Sequence, residues 1–235
     1  MQQLETVISK LQNSFKDLYF NEKKHLYTVA DKILPSVTGL VKYHAPMFDE
    51  HAKSESTAKR TGVSQEQVLQ EWKDKRDSAA IHGTAVHTYA EKLLDDLTIK
   101  PKNNQQRAVR EFLLHNLNSK YELLAAEIKM YSPTYGYAGT CDLLMWDIEK
   151  ECVVLFDYKT NIQLDDQYGN LLHPFPYLPN TNFNKYQIQL SYYQLMLEEA
   201  GIEVQERYII WLKKDGEYEI RSCTDFTQIL KTYLT

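Results

Sequence analysis

Residues 137–159 read YAGTCDLLMWDIEKECVVLFDYK, and this stretch decides the fold. Two apolar runs, Tyr137 to Trp146 and Cys152 to Lys159, flank the tight turn Asp147-Ile-Glu-Lys150 and predict a pair of neighbouring strands. Side chains alternate along a strand. Val153, Leu155, Asp157 and Lys159 therefore share one face, and Val154, Phe156 and Tyr158 share the other. The second strand ends by placing an acid and a lysine at the rim of the sheet. The first strand carries Asp142 among Cys141, Leu143, Leu144, Met145 and Trp146. A carboxylate among apolar neighbours is costly unless it is paired or binds a metal. The short turn brings the Asp142 region alongside residues 155–157.

Upstream, Leu124 to Tyr131 reads as a third strand, closed by the turn Ser132-Pro-Thr-Tyr-Gly136. Downstream, an irregular loop spans Asn161 to Asn182, a helix spans Asn184 to Ala200, and strands follow at Val204–Leu212 and Glu217–Arg221. Before the strands, Val86, Tyr89, Ala90, Leu93 and Leu94 form an apolar stripe on one helix, and Gln105 to Leu117 forms another. From residue 82 the order is helix, helix, three strands, helix, strand, strand. A mixed central β-sheet flanked by helices in one α/β domain accounts for it.

The N-terminal third differs. Leu4, Val7, Ile8, Leu11, Phe15 and Leu18 have helical spacing. Tyr19 to Ile33 reads as a β-hairpin around Asn21-Glu-Lys-Lys24. Ser36 caps a short helix running towards Tyr43, and residues 49–78 are polar and helix-prone, with a capping box at Ser64-Gln-Glu-Gln67. The expected organisation is one domain over 1–235, with a hairpin and helical part at 1–80 and the core at 81–222.

Composition removes several functions. The chain has 235 residues, 8 Gly and 7 Pro, which argues against disorder or a repeat fibre. Apolar runs reach four or five residues, as in Tyr208–Leu212, whereas a membrane helix needs about 20. No signal-peptide core opens the chain, and the expected location is cytoplasmic, in a bacterium or a phage-infected cell. The 3 cysteines, Cys141, Cys152 and Cys223, are odd in number and form no CxxC, so no iron–sulfur cluster is expected. A net charge of −5 argues against a protein that coats nucleic acid. It leaves room for an enzyme that touches nucleic acid through one local patch.

Chemistry concentrates in a few places. Asp142, Asp157 and Lys159 on one sheet edge suit a hard cation, since Mg²⁺ takes oxygen ligands and usually only one or two protein carboxylates. Glu127 is a third acid inside an apolar strand. In Gly83-Thr-Ala-Val-His87 the Gly and Thr suit a close helix start, with His87 one turn in. His82 is a nearby alternative, and imidazole suits Mn²⁺ better than Mg²⁺. Gln189 and Tyr193 stand one helical turn apart, and both can hydrogen-bond a phosphate or a sugar. Lys100, Lys102, Arg107 and Arg110 form an acid-free basic stretch that suits phosphate tracking. Ser36 and Thr38 are hydroxyl donors at a helix start. Taken singly, most of these features are ordinary: a D-x-K tripeptide is a common accident, and a lone His is usually structural.

In order, G-x-x-x-H (83–87), Glu127, G-T-x-D (139–142), D-x-K-T (157–160) and Q-x-x-x-Y (189–193) resemble the PD-(D/E)XK nuclease superfamily. More narrowly, they resemble its RecB-type exonuclease branch, including phage exonucleases and the mitochondrial genome maintenance exonuclease. Leu34-Pro-Ser-Val-Thr38 after the hairpin is similar to the N-terminal part of those members. The resemblance implies a restriction-endonuclease-like core and a Mg²⁺- or Mn²⁺-dependent DNA exonuclease of recombination, repair or phage replication. It implies that His87, Asp142, Asp157 and the backbone carbonyl of Tyr158 hold the metal and that Lys159 orients the attacking water. Glu127 would support the metal site or the water, and Gln189 and Tyr193 would position DNA or brace Lys159. A structure-specific endonuclease of the same fold and a catalytically silent DNA-binding module are the alternatives.

Overall fold

The helical spacing of Leu4, Val7 and Leu11 folds Gln2–Ser14 into α1. The structure, a computed structural model, describes residues 2–235. Helix α1 stops short of the expected Leu18, because Leu18 is taken by a strand and pairs with Val29. Strands β1 (Leu18–Asn21) and β2 (Leu26–Val29) form the expected hairpin, with the Asn21 side chain accepting from the Lys24 N–H at 3.0 Å. A third strand, β3 (Lys32–Leu34), extends it into a small antiparallel sheet. Tyr27 and Leu34 seat this sheet on Ala138.

Helix α2 (Val37–Tyr43) is capped by Ser36, whose hydroxyl oxygen accepts from the Gly39 N–H at 3.1 Å. Helix α3 (Glu50–Thr61) ends on Gly62 in the left-handed region. Ser64 then opens α4 (Gln65–Asp95) through the full capping box. This helix runs 31 residues without a break. The expected helix start at Gly83-Thr84 is therefore not there, and the 80/81 border falls inside one element. Residues 73–82 contain no stop signal, and a helical glycine costs only about 1 kcal/mol, less than breaking and recapping a helix. Helix α5 (Asn104–Asn116) follows.

The main sheet has the order β4 (Tyr121–Ser132), β5 (Tyr137–Asp147), β6 (Cys152–Lys159), β7 (Val204–Leu212), β8 (Tyr218–Ser222). It is mixed: β4, β5 and β6 form an antiparallel meander, β6 and β7 are parallel across α6 (Asn182–Glu199), and β7 and β8 are antiparallel. Helix α7 (Thr227–Leu234), which the sequence reading missed, closes the chain and buries Leu230. Alternation along β6 divides the core into two layers. Val154 and Phe156 join Val86, Leu93 and Phe112 from α4 and α5, and Val153 and Leu155 join Ile188, Tyr192 and Leu195 from α6. The long segment between β6 and α6 is irregular as expected, yet it is anchored by buried Leu164, Leu171 and Phe175. Among the described residues, no helix is long and apolar enough to cross a membrane.

Candidate active site

Strand register builds the site. Ala126 pairs with Leu143 and Ile128 with Cys141, so Glu127 stands opposite Asp142. Leu143 pairs with Phe156, so the next step puts Asp142 opposite Asp157. Three carboxylates therefore occupy one row across β4, β5 and β6. The ladders open here. Glu127 has φ 46°, a left-handed conformation that interrupts its pairing. For a non-glycine residue this costs roughly 1–3 kcal/mol and is found mainly where function requires it. Beyond Leu143 the strands part, and the Asp142 Oδ2 takes the Tyr158 N–H at 2.8 Å.

Helix α4 lowers His87 onto this row. Its Nδ1 lies 3.3 Å from Asp142 Oδ2 and 3.8 Å from Glu127 Oε1. One ligand atom from each of His87, Glu127 and Asp142 falls within 4.8 Å of the others. At the other end, Lys159 Nζ forms an ion pair with Asp157 Oδ2 and sits 4.3 Å from the centre of the Tyr186 ring. That Asp157 oxygen is buried and has no hydrogen-bond partner besides this ion pair.

The electrostatics report unbalanced negative charge. Burial would depress the His87 pKa, but the Asp142 charge and the hydrogen bonds to Asp142 and Glu127 outweigh it and raise it to about 10. Burial would raise the Asp142 pKa, yet the charge and hydrogen bond of His87, with Lys159 and the Tyr158 N–H, hold it below the usual range. Burial and the neighbouring Asp142 charge push Asp157 up to about 6, against the opposing pull of Lys159. Burial would depress Lys159, but the charge and hydrogen bond of Asp157, together with Tyr186 and Asp142, outweigh it and raise its pKa. Glu127, Asp142 and Asp157 thus lie beside the His87 imidazole at one end and the Lys159 ammonium at the other. Two carboxylate oxygens and an imidazole nitrogen suit Mn²⁺ and are compatible with Mg²⁺.

The row forms the floor of a cleft of about 690 Å³. Its lining includes His87, Glu127, Asp142, Asp157, Lys159, Gln189, Tyr193, Ser36 and Thr38. Gln189 donates to the Tyr193 hydroxyl at 2.8 Å. Tyr193 lies against Gly139, where an added Cβ would stand 2.7 Å from its ring and 3.1 Å from Val37. The Gly of G-T-x-D is there to admit α6 and α2 against β5. Tyr158 points its ring to the opposite layer, edge-on to Phe112 and His87, and reaches the site through its backbone. His82 does not join the cluster; its ring is held by the Gln105 side chain.

The basic stretch is elsewhere. Lys100, Lys102, Arg107 and Arg110 do not line the cleft. Arg107 donates to the Asp215 carbonyl at 2.5 Å in the β7–β8 turn, and Arg110 acts on Tyr89. Further lining comes from residues the sequence reading passed over as site residues, among them Phe20, Glu22, His25 and Tyr27 on the hairpin, Glu91 on α4 and Lys129 on β4. Lys129 was legible in principle, two residues beyond Glu127 on the same strand. No family model and no curated protein matches the chain.

Proposed function

We propose that the chain is a metal-dependent deoxyribonuclease with a restriction-endonuclease-like core, hydrolysing phosphodiester bonds from a free DNA end, on single strands or strand ends. The observation that carries this reading is the carboxylate row of Glu127, Asp142 and Asp157, with His87 over one end and Lys159 at the other, in one open cleft. His87, Glu127 and Asp142 would hold a Mg²⁺ or Mn²⁺ ion. When bound, that ion supplies an activated water and offsets charge on the phosphate. The chain's own residues do the rest. The Lys159 ammonium stabilises the charge that grows on the phosphate oxygens. Asp157 fixes that ammonium, and the Tyr186 ring limits its other directions. Gln189, held by Tyr193, offers its free amide groups to the strand, and the hydroxyls of Ser36 and Thr38 are donors for a backbone phosphate. A silent binding module would not need the complete set of three acids, an imidazole and a lysine.

The test is a gel assay with Mg²⁺ or Mn²⁺ on linear and circular single-stranded DNA, with Lys159→Ala alongside. Loss of the linear form alone, absent in the variant, supports the proposal. Cleavage of circles shifts the reading to an endonuclease. No cleavage of single strands or duplexes with any divalent metal overturns it.

A further inference from the structure

We propose that Lys129 and the aromatic wall of the β1–β2 hairpin form a nucleotide-binding subsite beside the acid row, with a backbone phosphate on the Lys129 ammonium and the adjoining unpaired base against Phe20. The proposal rests on the nuclease reading and adds where the strand lies.

Lys129 is exposed and lines the cleft. Its ammonium donates to the Glu127 carbonyl at 3.4 Å, at the strained residue of the acid row. It lies 5.9 Å from the centre of the Phe20 ring. No carboxylate pairs with it among the described residues. An unneutralised ammonium at the edge of an acid-rich floor is placed for an anion that the floor itself repels.

The wall opposite is aromatic. The Phe20 ring stacks on Tyr27 at 4.5 Å and meets His25 edge-on at 5.2 Å. Tyr27 is tied by its hydroxyl to Thr140 Oγ1 at 2.8 Å, and Thr140 is the cross-strand partner of Lys129. One chain of contacts therefore fixes the ring and the ammonium relative to each other. Phe20 is only half-buried and lines the cleft. A cation for the backbone beside a ring for the base is the combination by which single strands are held without regard to sequence. The basic residues of 100–110 do not line the cleft.

The test is fluorescence anisotropy of a labelled oligothymidylate strand and a blunt duplex, with Ca²⁺ in place of Mg²⁺. Thermal unfolding of each variant checks the fold. Lys129→Ala is expected to weaken strand binding about tenfold and to reduce the slope of log K against log salt by about 0.7, the single-strand value for one phosphate. Lys129→Arg should keep both. Phe20→Leu, which retains apolar volume, should weaken strand binding about tenfold with an unchanged salt slope, and affect the duplex less. If the wild type binds or cuts DNA and either Lys129→Ala or Phe20→Leu leaves strand binding unchanged, the subsite is wrong while the nuclease reading stands. If the wild type neither binds nor cuts any DNA, both fall together.

Discussion

Asp157 and Lys159 stand two residues apart on β6, and the Oδ2 of one meets the ammonium of the other at the floor of the cleft. The spacing makes this contact possible, since both side chains leave the same face of the strand. The side chain of Asp157 is 2 % exposed and that of Lys159 14 %. Removing one partner of so enclosed a pair strands the other. Lys159→Ala is expected to cost about 3 kcal/mol of stability, read as a lower urea midpoint. It should also abolish metal-dependent DNA cleavage. A variant with lost activity and wild-type stability would mean that Lys159 does not hold Asp157.

On the proposed reading the acid row holds a cation, so Mn²⁺ should stabilise the fold. At a concentration one hundred times Kd the gain is about 2.7 kcal/mol. Asp142→Asn should remove most of this gain in a thermal shift titration, because Asp142 touches both His87 and the Tyr158 N–H. An equal shift in the variant would place the metal elsewhere.

Gly139→Ala tests the contact that brings α6 to the site. The new methyl would meet the Tyr193 ring and Val37 at distances too short to hold. Overpacking of this kind costs about 1–3 kcal/mol. Denaturant unfolding should show that loss. Activity should fall as well, since a displaced Tyr193 releases Gln189.

His44 gives the fold a pH dependence away from the site. It is buried, with Nε2 bonded to the Tyr192 hydroxyl at 2.8 Å and Nδ1 towards the His173 carbonyl at 3.4 Å. Burial lowers its pKa below the ordinary histidine value of 6.5, against a smaller opposing effect of the His173 carbonyl. The unfolded chain therefore takes up a proton first. Stability from this group is complete above pH 6.5 and is lost as pH falls below it. Between pH 7.5 and 5.5, urea midpoints of the wild type should fall more than those of His44→Gln. Parallel curves would contradict the assignment.

The alternation in Val153–Lys159 and the turn at Asp147–Lys150 were enough to place Asp142 beside Asp157, because strand period and turn length are local properties. The capping box at Ser64 was legible for the same reason. Gly83 misled: it reads as a boundary, but the helix formers on both sides outweigh one glycine. The resemblance implies His87, Asp142, Asp157 and the Tyr158 carbonyl as ligands, whereas the close side-chain group is His87, Glu127 and Asp142, with Asp157 turned to Lys159. The basic residues of 100–110 form a visible run in the sequence but do not line the cleft, whereas Lys129, a single lysine on a strand, does.

The sequence by itself determined most of the strands and helices of the core, and that acids stand inside apolar strands with an acid and a lysine ending one of them, since these follow from near neighbours and periodicity. Tertiary structure alone decided which charge meets which. That depends on the register of β4 against β5, on the left-handed turn of the backbone at Glu127, and on how α4 seats His87. Electrostatic pairing falls off over a few ångströms, and distances between residues far apart in the chain are set only when the layers pack.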